Sequence, residues 1–259
     1  MGQDVSQASH FSSPLQRIAA LIIGRIYGRV KTMTMILIAI AYLAYAAFWV
    51  RLSLHAVVWL RAARQQAAGP SAATGKPLHA FAMTLIDLLL FRRLFASNKP
   101  LWLGSWAFHT AFFIVILRHL RFFLEPVPDC IVRVQPFGVF AGYLMAFSLA
   151  YVIFLRAVTK TKYVSYQNYL ILGLVFLISA TGLLMRNYFP PDLVDVKSFV
   201  MGLVAMRPAP LPAGFFFSLH FFFVLLLVPF LPFHLFTAPF VAFEARKREF
   251  RLDKVLHDR

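Results

Sequence analysis

Five runs of predominantly apolar residues, each near the length that crosses a bilayer, constrain this chain more than any other feature. A membrane-spanning helix needs ~20 such residues at 1.5 Å rise per residue. The runs cover about residues 34–60, 102–124, 137–155, 166–185 and 214–240. The last contains Pro229 and Pro232, which remove backbone donors and predict a kink. Of the 259 residues, 60% are hydrophobic, where a soluble domain has roughly 45–50%. The pattern predicts an all-α integral membrane bundle of five transmembrane helices and excludes a soluble enzyme.

Two other stretches, 15–30 and 81–95, mix Leu, Ile and Phe with arginine, and the second also carries Asp87. Both read as amphipathic helices lying at the membrane interface. Residues 65–75 form a small linker rich in Ala and Gly. The organisation expected is a polar and amphipathic N-terminal segment (1–33), a five-helix membrane domain (34–243) and a basic tail (244–259).

The charge is lopsided, with 26 basic against 10 acidic residues and a formal net charge of +16. These cations flank long apolar runs, so they read as topology signals and contacts to membrane lipid, and nucleic acid is not an expected partner. Arg61, Arg64, Lys76, Arg92, Arg93 and Lys99 lie between the first two runs. Arg156, Lys160 and Lys162 lie between the third and fourth, and Arg246, Lys247, Arg248, Arg251, Lys254 and Arg259 lie in the tail. The intervening loops hold only Arg133, Arg186, Lys197 and Arg207. The positive-inside rule therefore places the C-terminus in the cytoplasm and the N-terminus outside. Arg17, Arg25, Arg29 and Lys31 run against this rule, but three separate basic segments agree with it. The start MGQDVS fits a minimal myristoylation pattern, read as coincidence because five spans make a lipid anchor redundant.

Cys130 is the single cysteine, so there is no intrachain disulfide, no CxxCH for covalent haem and no four-cysteine cluster. GxGxxG and Walker sequences are absent as well. The chemistry rests instead on histidines within the apolar runs, where an ionisable side chain is costly and usually functional. His109 and His119 lie in the second run, ten residues apart; His220 and His234 lie in the fifth, fourteen apart. On a helix these separations are about 15 Å and about 21 Å of rise, with offsets of about 80° and about 40°. Each helix thus presents two imidazoles toward one side at two depths. With the two helices antiparallel, His119 matches His220 toward the outside and His109 matches His234 toward the cytoplasm. Such pairs suit bis-histidine haem b, whose iron takes axial ligands on opposite faces. Arg118 and Arg121 flank His119, and Arg186 closes the fourth run on the same side. Arginines there suit either haem propionates or simple interface anchoring. His55, beside Arg51, reads as an interfacial residue.

The segments FHTAFFIVILRHLRFFLEPVP (108–128), TGLLMRNYF (181–189) and VKSFVMGLV (196–204), together with the Pro232–Phe233 step, extend these observations. They resemble the cytochrome b membrane subunits of the Tmc and sulfite-reduction-associated (Dsr) redox complexes of sulfate-reducing bacteria. Those belong with the gamma subunit of respiratory nitrate reductase. The resemblance runs over about residues 81–240. It implies two non-covalent b haems and exchange with a quinone such as menaquinone. The partners it implies are a cytoplasmic iron–sulfur subunit of the heterodisulfide reductase type and a periplasmic multihaem cytochrome c. His109, His119 and His220 fall on ligand positions of that family. The fourth ligand position of the family falls on Ala238, one turn past His234, so His234 enters as a ligand from geometry alone.

The function expected is that of an electron-carrying subunit of a quinone-linked oxidoreductase complex in the bacterial inner membrane. A quinone site is expected near His119 and the loop around 197–201. A transporter with a histidine proton relay, or a membrane anchor without redox function, is the alternative. No internal repeat of the kind transporters show is apparent.

Overall fold

A computed structural model describes residues 14–67, 77–159, 166–233 and 238–257. Among them the secondary structure is helical, without strands. Helix α1 spans Pro14–Ala67, 54 residues or about 81 Å of rise. The separate interfacial helix expected at 15–30 is therefore continuous with the first span. Pro14 sits at the helix start and no other proline lies within it, so nothing interrupts the ladder between 30 and 34. Its portion Lys31–Ala62 is long and apolar enough to cross a membrane.

The 81–95 stretch is split. Helix α2 (Pro77–Leu90) and helix α3 (Arg92–Ser97) are separated by Phe91, whose left-handed φ of 49° breaks the helix. The carbonyl of Leu90, freed by that break, accepts from the Trp102 indole N–H at 2.8 Å. Helix α4 (Lys99–His119) then starts where the Asn98 side chain accepts from the Leu101 N–H at 3.0 Å, with proline in the first turn. A short 3-10 turn, Leu120–Phe122, prolongs α4.

Helix α5 (Asp129–Arg133) leads into α6 (Gln135–Val158), which packs closely along α4. One side of α6 is buried at Gly138, Ala141, Met145, Ser148 and Val152, a helical spacing. Glycine on each partner permits the approach. A Cβ on Gly104 would lie 2.6 Å from the Tyr151 ring, and one on Gly138 would lie 2.5 Å from Cδ of Arg118. Small residues at a helix crossing are how membrane helices gain contact without a hydrophobic drive between them.

Helix α7 (Tyr166–Asn187) packs on α6 and on α9 (Phe215–Leu227). Between them lies α8 (Leu193–Val204), capped by the Asp192 carboxylate, which accepts from the Val194 N–H at 2.7 Å. The Lys197–Met201 stretch expected as a loop lies in this helix, with Phe199 fully buried. The cause is an amphipathic pattern: Val196 and Phe199 turn inward onto Phe217 and Phe221 of α9.

Among the described residues, four helical stretches are long and apolar enough to cross a membrane: Lys31–Ala62, Lys99–Phe122, Gln135–Val158 and Tyr166–Asn187. The fifth expected crossing corresponds to the shorter apolar helix Phe215–Phe230, in which Val228–Phe230 tightens to 3-10 at Pro229. Its rise of about 24 Å falls short of the ~30 Å hydrocarbon core. Residues 234–237 lie outside the described residues, and α10 begins beyond them (Ala238–His257). Helix α10 packs on α2: Arg246 pairs with Asp87, and Arg93 donates to Glu249 at 2.7 Å. The loop after the first span and the C-terminal segment thus meet at one end of the bundle. These helices fit a multi-pass membrane protein.

Candidate haem site

The histidines of α4 share one local geometry. His109 Nδ1 lies 2.7 Å from the Ser105 carbonyl, and His119 Nδ1 lies 2.7 Å from the Val115 carbonyl, each four residues back on the same helix. A carbonyl only accepts, so the ring must present Nδ1–H in both contacts. For His119 this leaves Nε2 as the nitrogen carrying the lone pair, the form an imidazole takes as a metal ligand. The His109 ring sits between Phe91 and Phe108, with centroids 4.8 and 4.7 Å away.

His220, on α9, is tied differently. Its Nδ1 lies 3.1 Å from Oγ1 of Thr181 on α7. Gly182 lies directly under the ring: a Cβ there would come 3.4 Å from Cε1 of His220. His119 and His220 lie at the same end of the bundle and within electrostatic reach of one another. Their helices are not a closely packed pair among the described residues; α4 packs mainly on α6 and α9 mainly on α7. Two imidazoles on helices that do not close on each other, each with Nδ1 occupied, fit the donor set of a bis-histidine macrocycle. His234 lies outside the described residues.

Arg118 and Arg121 lie on the turn that carries His119, and Arg186 lies in the last turn of α7. The three guanidinium groups are close enough to feel one another's charge. Among the described residues none of them is paired with a carboxylate, since Glu125, the acid that follows in sequence, pairs with Lys197. Arg118 and Arg121 line a cavity of about 170 Å³ with Val127, Ile131, Val132 and Gln135. Like charges without counter-ions, beside two ligand-type imidazoles, suit an anionic ligand edge. Helix α8 closes this end, packing against the turn after His119 and against the α9 phenylalanines that flank His220.

Comparison with known proteins gives two related subunits, each named Hdr-like menaquinol oxidoreductase cytochrome b-like subunit. The one from Archaeoglobus profundus is 30% identical over 185 residues, covering 60% of this chain and 55% of the relative. The one from Archaeoglobus fulgidus is 27% identical over 147 residues, covering 48% and 44%. The chain spans about half the length of these curated relatives. No family model matches the chain, and no solved structure matches it.

Sequence reasoning singled out the segment beginning with Thr181 and Gly182 but gave neither residue a role. The signal was a Thr–Gly step within an apolar helix, five residues before Arg186. It also missed Arg51, which donates to the Pro229 carbonyl at 3.3 Å and lies over the Phe230 ring at 5.4 Å. His55, expected as an interfacial residue, stacks on Trp59 and meets Phe233 at a tilt of 50°.

Proposed function

We propose that this chain is the dihaem cytochrome b membrane subunit of a quinone-linked redox complex. Support comes chiefly from the end of the bundle at His119 and His220, where two imidazoles with occupied Nδ1 face three uncompensated arginines. The similarity to subunits named for menaquinol oxidoreductases agrees with it. In this reading His119 and His220 hold an outer haem b by Nε2, and His109 and His234 hold an inner one. Arg118, Arg121 and Arg186 balance the propionates of the outer haem. One-electron Fe(III)/Fe(II) chemistry is what the group supplies when bound.

The chain's own contribution is orientation, burial and charge balance. Ser105 and Val115 hold the α4 rings through their carbonyls, and Thr181 holds His220 from α7. Helix α8, with Phe199 fully buried, packs against the turn after His119. Residues 34–243 form the haem domain, and α10 and the tail lie on the cytoplasmic side. The partners are a cytoplasmic iron–sulfur subunit of the heterodisulfide reductase type and a periplasmic multihaem cytochrome c. The electron donor or acceptor within the membrane is menaquinone.

Optical and haem-extraction measurements on the purified complex test this. Low-spin b-type bands and two haems per chain are expected. His119→Ala or His220→Ala should abolish one b-type component and leave the other, and His234→Ala should leave one haem with the outer signal intact. A wild-type chain without b-type bands would instead favour a transporter or a non-redox anchor.

A further inference from the structure

The two outer imidazoles differ in what holds them. His119 is tied within its own helix, to a carbonyl at 2.7 Å. His220 is tied across helices, to the Thr181 hydroxyl at 3.1 Å and also to the Ile178 carbonyl of the same helix. Thr181 is itself buried, and its hydroxyl lies 2.7 Å from the Leu177 carbonyl and 3.1 Å from that of Ile178. A hydroxyl has one proton, and both neighbouring carbonyls can only accept. The shorter contact, to the Leu177 carbonyl, is the better place for that proton, and toward His220 the threonine then presents a lone pair. With that assignment the ring N–H is the donor, the proton is on Nδ1 and the lone pair on Nε2. Gly182 lies beside the ring, where a Cβ would just reach van der Waals contact at 3.4 Å from Cε1.

We infer that Thr181 is a positioning residue for the outer haem: by accepting from Nδ1–H of His220 it selects the ligating tautomer and sets the donor strength of that ligand. The inference rests on the haem reading given above. An N–H donated to an acceptor makes the imidazole a stronger electron donor to iron, and such outer partners tune metal sites. A hydroxyl at 3.1 Å draws on the ring less than a carbonyl at 2.7 Å. The two ligands of an outer haem would thus be unequally polarised, and Thr181 is the one side chain among the recorded partners of the His220 ring.

Redox titration and low-spin EPR of the purified haem-loaded complex test this, using Thr181→Val and Thr181→Ser. Valine keeps the shape and removes the acceptor, so the midpoint potential of the outer haem should rise and its low-spin g values move. The other haem should be unchanged. Serine should return both readouts to wild-type values. Loss of the outer haem in Thr181→Val with recovery in Thr181→Ser also supports the hydroxyl's role, whereas loss in both makes Thr181 a packing residue and overturns it. Two haems with unchanged potential and EPR in Thr181→Val mean that the Ile178 carbonyl serves the ring instead, and overturn the inference alone. A wild-type complex without b-type haem in this chain overturns both readings.

Discussion

The two ends of the bundle treat their charges in opposite ways. At the α2–α10 end, cations meet acids: Arg246 pairs with Asp87 and also donates to Glu249 at 3.1 Å, and Glu249 accepts from Arg93 at 2.7 Å. Aromatic stacking continues the same contact, with Trp59 on Phe240 and Phe81 near Phe243. At the His119 end, Arg118, Arg121 and Arg186 converge with no carboxylate among the described residues to neutralise them. A folded chain places like charges together when something else completes the set. The first end is neutralised by the chain itself, and the second leaves three cations without an acidic partner among the described residues.

The sharpest way to break this contrast is charge reversal at the His119 end. Replacing Arg118 and Arg121 together with Glu removes two charge-assisted contacts and adds repulsion. Retention of the outer haem should fall by about a hundredfold or more, measured by haem extraction, while protease resistance of α10 stays unchanged. Unaltered haem retention would reduce these arginines to interface anchors.

Next in size is Asp87→Ala, at the neutralised end. The Asp87 side chain is 11% exposed and that of Arg246 20%. Removing the acid leaves a largely buried guanidinium short of its partner, at a cost of about 2 kcal/mol. Faster tryptic cleavage within α10, with both haem spectra intact, is the expected outcome. The smallest effect belongs to Arg93→Ala. Its pair with Glu249 is exposed on both sides, 58% and 44%. Exposed pairs contribute under about 1 kcal/mol, so thermal unfolding in detergent should shift little.

Much of this arrangement is readable in the residue order. Hydropathy locates four long spans because each is an unbroken apolar run of sufficient length. The basic loop after the first span and the tail share an end, and the Asp87–Arg246 pair shows them meeting. His119 and His220, paired in the sequence reading, lie within electrostatic reach of one another. Other features depend on single backbone events that a hydropathy window averages away. The break at Phe91 is one left-handed residue inside an apolar stretch. Helix α8 reads as a loop until Phe199 is seen to have a partner surface on α9. Thr181 gains no role from the sequence because that role depends on where its one proton goes, which composition does not record.

Arg51 illustrates a dependence of another kind. Pro229 and Pro232 withhold two amide donors from α9 and its continuation, within an apolar segment where water cannot substitute. The α1 guanidinium reaches this stretch from outside, donating to the Pro229 carbonyl, which is not the acceptor that either missing amide would have served. The contact gives the Arg51 charge an acceptor and an aromatic face on the proline-bent stretch of the neighbouring helix, and so couples the two positions. Substituting Arg51 alone should cost more in the native chain than in one whose prolines have already been replaced, and any lineage that straightens this helix is free to lose the arginine afterwards.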